Sequence, residues 1–132
     1  MILRGLATVL LVALAVESHD APPSVGCRNT HEWVDVGELD ATTVVGSVEV
    51  RYDAGDSARL PETTVIVARI KPSIQAYVAE TDARGEFAMP YVPEGRWRVN
   101  VCKAGFKTLE ATLTVNDKAA HRQLRFSTEL DW

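Results

Sequence analysis

Residues 80–90 read ETDARGEFAMP, and this stretch indicates how the chain changes direction between two strands. Asp82 can accept hydrogen bonds from backbone N–H groups a few residues later, which closes a tight turn. Gly85 can adopt a positive φ at the end of that turn without a Cβ clash. Phe87 and Met89 follow two residues apart, so they share one face of a strand. The stretch therefore predicts a turn that joins two strands.

The rest of the sequence repeats this texture, with short β-rich runs separated by turn residues at intervals of about ten. Such spacing is typical of an all-β sandwich or barrel. Residues 44–52 alternate apolar and polar side chains, as a strand with one buried face does. Residues 63–70 are β-branched nearly throughout, which is expected of a strand covered on both faces.

A further clear alternation lies in residues 96–102, where Trp97 and Val99 point to one face. Turns are expected on either side, at Gly95 and Gly105. In all, the sequence predicts seven strands, at residues 43–52, 63–70, 74–80, 86–90, 96–102, 107–115 and 121–130. Strands of this number and length favour two facing sheets. The predicted fold is all-β, a seven-stranded Greek-key-type β-sandwich preceded by a signal peptide and an irregular N-terminal segment.

Residues 1–18, MILRGLATVLLVALAVES, have the pattern of a signal peptide. One cation, Arg4, precedes an apolar run from Leu6 to Val16 that is too short to span a bilayer. A lipoprotein signal would place its cysteine directly after this run, whereas Cys27 lies about ten residues beyond it. We expect this signal peptide to be cleaved on export to the periplasm or the exterior, which leaves no membrane span.

The remainder, about 114 residues, has the size of one domain with one hydrophobic core. Residues 19–42 contain a Pro22-Pro23 pair among scattered acidic and apolar side chains, without sustained periodicity, and are expected to form a linker and lead-in. Residues 43–132 form the predicted sandwich. The formal net charge of −4 argues against a nucleic-acid or anionic-membrane partner.

Cys27 and Cys102 are the two cysteines of the sequence, and they lie 75 positions apart. An oxidising compartment would favour a disulfide between them, which would stabilise the fold by roughly 3–4 kcal/mol through chain entropy. Two separate thiols are the alternative, since nothing in the spacing requires a bridge. The sequence has no CxxC pattern of a redox or zinc site.

Five features occur in an informative order along the chain: Gly46–Val48 in an opening strand, Pro61 before a Thr/Val-rich strand, Thr81–Phe87, Pro93–Trp97 and Gly105–Phe106. Together they resemble the carboxypeptidase regulatory-like domain, a seven-stranded sandwich similar in shape to transthyretin. The resemblance covers residues 44–115. It implies a non-catalytic interaction or accessory module, whose expected partner is another envelope or extracellular protein.

Acidic residues cluster in HEWVDVGELD, where a cation could be held by carboxylates and one imidazole: His31, Glu32, Asp35, Glu38 and Asp40. The alternative is a solvated acidic lead-in whose Trp33 and Val34 dock on the sandwich. We favour this alternative because no ligand pair has a familiar metal-site spacing. The acids around Asp82 likewise lack the alternation of a calcium loop. The sequence therefore predicts neither a metal nor a cofactor.

The sequence contains no strong signal for catalytic residues. His19 and His121 have no acid–base partner nearby in sequence, and His31 belongs to the acidic stretch described above. No serine lies in a Gly-x-Ser-x-Gly elbow. The transthyretin-related 5-hydroxyisourate hydrolases close with Tyr-Arg-Gly-Ser, whereas this sequence closes with STELDW. We therefore predict no catalytic residues, and keep such a hydrolase as a remote alternative.

Aromatic side chains raise a second function, because exposed rings can stack on sugars. Trp97 belongs to the predicted core, so the exposed candidates are Trp33, Tyr77, Tyr91 and Trp132. Carbohydrate binding is thus the alternative to an interaction module, which would accept a partner at a free edge strand.

Overall fold

The computed structural model describes residue 27, residues 32–119 and residues 123–131. These residues form nine strands: β1 Trp33–Ala41, β2 Val44–Arg51, β3 Ser57–Arg59, β4 Thr64–Arg69, β5 Gln75–Glu80, β6 Glu86–Met89, β7 Gly95–Cys102, β8 Thr108–Val115 and β9 Leu124–Thr128. A helix with the length and apolar character needed to cross a bilayer is not found in this part of the chain. The predicted signal peptide, residues 1–18, lies outside the described residues.

The strands form two sheets that share one hydrophobic core, which confirms the predicted sandwich. The larger sheet has the order β1-β8-β7-β4-β5, in which β1 is parallel to β8 and the other neighbours are antiparallel. In the smaller sheet β2 is central. It pairs in parallel with β9 on one side and antiparallel with β3 and β6 on the other.

Alternating side chains from both sheets fill the space between them. Trp97 is the largest of the fully buried residues, and Phe126 and Met89 join the same core from the smaller sheet. Phe87 packs beside Phe126, with ring centroids 6.2 Å apart. The predicted burial of Trp97, Phe87 and Met89 is confirmed, and each such side chain stabilises the fold by about 1.5–3 kcal/mol.

Residues 19–42 are predicted to be an irregular linker and lead-in, and this prediction is wrong for the part that forms β1. This strand pairs in parallel with β8, and its register shifts between Asp35 and Gly37. The extra residue is a β-bulge, and it interrupts the alternation by which a strand is recognised. Val34 packs against the core before the bulge, and Leu39 does so after it, at an odd rather than an even spacing. The acidic stretch therefore hides an edge strand.

The second unpredicted strand, β3, lies in the predicted polar loop after β2. All three of its residues are exposed, so no hydrophobic pattern marks it. It is held by pairing with β2, where Arg59 lies opposite Glu49 and thereby brings opposite charges together. The seven predicted strands thus become nine among the described residues.

The turn in ETDARGEFAMP is confirmed, and it crosses from one sheet to the other, since β5 and β6 belong to different sheets. Asp82 Oδ1 accepts hydrogen bonds from the N–H groups of Arg84 and Glu86, both at 2.9 Å. Gly85 has a φ of 74°, and its N–H donates to the Asp82 carbonyl at 2.9 Å. The Gly85 carbonyl in turn accepts from the N–H of Val48 at 2.8 Å, which ties the turn to β2.

Candidate functional site

The larger sheet ends in two strands, β1 and β5, that differ in charge. β1 carries Asp35, Glu38 and Asp40 and is bent by the bulge at Gly37, and both features hinder pairing with another strand. β5 has no charged side chain from Gln75 to Ala79, and its register with β4 is regular throughout. Within the part of the chain that the structure describes, β5 is therefore the edge of this sheet that lacks such protection.

The outer side of β5 presents backbone groups that no described strand pairs. Directly beyond β5, Thr81 donates its N–H to the Thr63 carbonyl at 2.9 Å. Inward-bonding and outward-facing positions alternate along an antiparallel ladder, so the odd-numbered residues of β5 bond to β4. The even-numbered residues, including Ala76 and Val78, then direct N–H and C=O to the open edge.

Large apolar side chains are exposed along this same edge. Val78 is 61% exposed, Ile74 68% and Ile70 72%, whereas Val36 on β1 is 39% exposed. Ala76 lies between Ile74 and Val78 on the same face and is also exposed. We call Ile70, Ile74, Ala76 and Val78, together with the open side of β5, the β5 edge surface. Contiguous exposed apolar side chains of this kind mark interaction sites.

The apolar face continues inward to a covered region. Ile66 of β4 lies opposite Val78, and it is buried together with Ala68 and both cysteines. Cys27 and Cys102 form a disulfide with a Cα–Cα distance of 5.4 Å, which confirms the predicted bridge. Because Cys102 ends β7, the bridge holds Cys27 over the outward face of the sheet. This explains why β4 is covered on both faces, as predicted.

A buried amide adjoins this covered region. Asn100 lies opposite Ile66 in the ladder and is only 1% exposed. Among the described residues its Nδ2 atom has no hydrogen-bond partner. A buried donor without a partner costs about 1–3 kcal/mol. Sequence alternation places Asn100 on the outward, polar face of β7, and it does not reveal that this face is covered.

The acidic residues around β1 interact with different partners rather than with one centre. Glu38 pairs with Arg96 at 3.1 Å, and Glu32 lies 3.6 Å from Lys107. Asp35 Oδ1 accepts a hydrogen bond from the N–H at the bulge, at 2.9 Å. Within the described ranges, no three His, Cys, Asp or Glu side chains come close enough to hold a metal ion. Glu38 and Glu32 therefore form ion pairs, and Asp35 stabilises the bulge.

A cleft of about 350 Å³ is lined by both charged and apolar residues: Arg51, Tyr52, Asp53, Lys107, Glu129 and Leu130. Lys107 donates to Glu129 Oε1 at 3.1 Å. This hydrogen bond, against the opposing effect of burial and with the help of Glu32, raises the pKa of Lys107 above its usual value. The raised pKa favours the charged ammonium form, whereas a base or nucleophile needs the neutral amine.

Three aromatic rings form a contact chain at the β5 side of the molecule. The Tyr77 ring lies 5.5 Å from Tyr91 and 5.6 Å from Trp97, with interplanar angles of 54° and 63°. The Arg69 guanidinium lies 4.1 Å from the Trp97 ring centroid. Rings tilted by such angles do not form one flat stacking platform. Trp33 cannot extend them, because β1 and β5 are opposite edges of the sheet.

The predicted turn residues shape the fold. Gly85, Gly95 and Gly105 have φ values of 74°, 143° and 91°. The N–H groups of Glu86 and Arg84 hold the pKa of the Asp82 carboxyl below its usual value. Asp82 Oδ1 thus closes the turn by accepting both of these backbone hydrogen bonds. The remaining candidates of the sequence lie outside the described residues: His19, His31, His121 and Trp132.

The residues missed at the level of sequence are those of the β5 edge surface. A free edge strand is expected in such a sandwich, but the sequence does not say which strand it is. The available signal is IKPSIQAYVAE, residues 70–80, which is apolar on both strand faces and uncharged from Pro72 to Ala79. No protein-family model matches this sequence, and a search of curated proteins finds no match.

Proposed function

We propose that this protein is an exported, non-catalytic β-sandwich of the carboxypeptidase regulatory-like type that serves as an interaction or accessory module in the cell envelope. Its binding site is the β5 edge surface, where a partner polypeptide adds a strand to the larger sheet. The observation that carries this proposal is the exposure of Ile70, Ile74 and Val78 along an edge that no described strand pairs and that has no charged side chain from Pro72 to Ala79. Such an edge supplies main-chain hydrogen bonds for affinity and apolar contacts for selectivity.

Energetic considerations favour β5 over β1 as the binding edge. Burying a fully exposed Val or Ile side chain contributes about 1.5–3 kcal/mol, and Ile70, Ile74 and Val78 are each more than half exposed and so available for burial. On β1, a partner strand would have to desolvate Asp35 and Asp40 and follow the bulge. The partner strand is therefore apolar and regular, as β5 is.

Export is supported by the disulfide, because such bonds persist in oxidising compartments and are rare in the cytosol. The signal-peptide pattern of residues 1–18 points the same way. Mass measurement of the protein recovered from cells, with and without reductant, tests both features. A full-length species recovered from the cytosol with two free thiols, whose mass does not change on addition of reductant, would contradict export.

Site-specific photo-crosslinking in the producing cells tests the interaction module. A benzophenone amino acid at position 78 is expected to form a covalent adduct with a polypeptide, whereas the same group at position 36 is not. These positions carry Val78 and Val36, exposed valines on opposite edges of one sheet. An added Ala76→Lys substitution should abolish the adduct at position 78. If neither position forms an adduct, the proposed function fails.

Carbohydrate binding is the second candidate, and Tyr91 favours it. The Tyr91 side chain is 59% exposed beside Tyr77, so one ring is open for stacking. A glycan array probed with the wild-type protein and with Tyr91→Ala tests this function. Signals that are equal for both proteins, or absent from both, would remove the candidate.

A further inference from the structure

We infer that the strand added to β5 is β5 of a second copy of this chain, so that two sandwiches join through one continuous sheet of ten strands. This inference rests on the proposed function and names its partner. Two copies related by a two-fold axis pair such strands antiparallel, and each side of the interface is then built from the same residues. β5 has no charged side chain from Gln75 to Ala79, and its exposed face carries Ile74, Ala76 and Val78, so it is suited to pair with a second copy of itself.

The alternation along β5 restricts the register of such a pair. The even-numbered residues direct their backbone groups outward, so each must face an even-numbered residue of the second copy. Placing Ala76 opposite Ala76 brings Ile74 opposite Val78 on both sides of the axis. This register buries the two most exposed branched side chains of the strand, Ile74 and Val78, against each other. Moving the axis to Tyr77 would instead place Ile74 opposite Glu80.

Charge complementarity selects the same orientation. Lys71 lies at the tip of the β4–β5 hairpin, whereas Glu80 ends β5 and Asp82 follows it. An antiparallel pair places Lys71 of each copy beside the acidic end of β5 in the other copy. A parallel pair would bring Lys71 next to Lys71 and Glu80 next to Glu80, which is unfavourable. The opposite edge offers no such match, because β1 presents acids along its length.

Sedimentation equilibrium of the disulfide-bonded protein tests the inference. We expect a monomer–dimer equilibrium in which Val78→Lys raises the dissociation constant at least a hundredfold. The matched control, Val36→Lys, places the same charge on the opposite edge and should leave the dissociation constant within threefold. Equal effects of both substitutions would overturn the assigned interface. Unfolding measured on each variant separates a lost interface from a lost fold.

Cysteine crosslinking tests the register. Directly opposed residues of a hydrogen-bonded pair have Cα atoms about 5.5 Å apart, within the range of a disulfide. Ala76→Cys is therefore expected to form a disulfide-linked dimer on mild oxidation, at least tenfold faster than Val78→Cys. Peptide mapping must show the native Cys27–Cys102 bridge retained. Faster linkage through position 78 would overturn the register.

The outcomes also separate this inference from the proposed function. Suppose that the purified protein is monomeric and that position 78 crosslinks to a different polypeptide in cells. Self-association is then wrong, and the interaction module stands. If the monomer shows slow, concentration-independent hydrogen exchange at Ala76 and Val78, another part of the same chain covers β5, which also overturns the dimer. A monomer with fast exchange and no crosslink overturns both.

Discussion

Gly85 offers the sharpest test of how the two sheets are joined. Its φ of 74° lies in the left-handed region, where an alanine costs about 1–2 kcal/mol. A Cβ on Gly85 would also lie 2.7 Å from the Val48 carbonyl oxygen and 2.9 Å from the Leu60 nitrogen. These two atoms are themselves hydrogen-bonded, with Leu60 N–H donating to Val48 O at 3.0 Å. The methyl group must therefore displace backbone as well as strain the turn.

The expected cost of Gly85→Ala follows from these two contributions. Strain accounts for about 1–2 kcal/mol. The methyl group also disturbs two backbone hydrogen bonds, from Leu60 N–H to Val48 O and from Val48 N–H to Gly85 O, at about 0.5–1.5 kcal/mol each, which brings the loss to roughly 2–5 kcal/mol. Gly55→Ala is the matched control, because Gly55 also has a positive φ, 90°, and nothing lies within 4 Å of its added Cβ. That substitution should cost only the strain, about 1–2 kcal/mol.

Urea denaturation of the disulfide-bonded protein, followed by tryptophan fluorescence, gives the free energy of unfolding for each variant. Gly85→Ala should lose at least about 1 kcal/mol more than Gly55→Ala, which corresponds to the disturbed backbone hydrogen bonds. Equal losses in the two variants would refute the close contact between the turn and β2. A loss in neither would refute the positive φ as a source of strain.

Three further predictions concern charge, burial and the disulfide. The pKa of Asp82 is lowered in the folded state below its ordinary value of 3.8, so its carboxylate stabilises the fold above that pH and this stabilisation is lost as the pH falls through the lower, folded pKa. The difference in unfolding free energy between wild type and Asp82→Asn should therefore shrink in urea titrations below pH 3.8, and a constant difference from pH 6 to pH 2 would contradict the hydrogen bonds to its carboxylate. Asn100→Val removes a buried amide without a described partner and introduces a good strand former, so thermal unfolding should show a gain of about 1 kcal/mol; a loss would indicate that the amide has a partner. Reduction of Cys27–Cys102 should lower the free energy of unfolding by roughly 4 kcal/mol and increase binding of an apolar dye as Ile66 becomes exposed, and unchanged dye binding would show that Cys27 does not cover this face.

The central part of the sandwich is predictable because its strands obey a period of two. Trp97 and Val99 alternate with polar residues, and Phe87 and Met89 resume the alternation after a turn with clear turn residues. In these strands the local preference for β structure agrees with the burial seen in the fold, so a single sequence is sufficient to predict them. A disulfide between the two cysteines is predicted from the oxidising compartment, with two separate thiols as the alternative, and the structure confirms the disulfide.

Two strands escape prediction for different physical reasons. In β1, the bulge near Gly37 inserts one residue and moves the inward side chains out of phase. In β3, all side chains are exposed, so only backbone pairing defines the strand. Neither cause leaves a periodic signal in the sequence.

The candidate site is harder to predict, because an edge is a property of sheet order. Nothing in the residues of β5 states that β4 will pair with one side and no described strand with the other. In the sequence, Val78 is an ordinary valine of an alternating strand. Only the structure shows that Val78 is exposed, whereas Ile66, which lies opposite it, is buried. For the same reason the sequence predicts Asn100 to be a surface residue: it does not show that the outward face of β7 is covered.

The parallel pairing of β2 with β9 has a consequence for the time at which this chain can fold. Gly46 and Leu124 are paired neighbours, and a Cβ at residue 46 would overlap the Leu124 backbone. The two strands can therefore approach this closely because residue 46 has no side chain. Every other strand of the described residues is synthesised before β9, and until β9 is synthesised the side of β2 that pairs with it has no partner among them. Long-range pairings of this kind form slowly. If the chain is exported as proposed here, the smaller sheet would thus remain incomplete during export and be completed only once β9 has crossed the membrane.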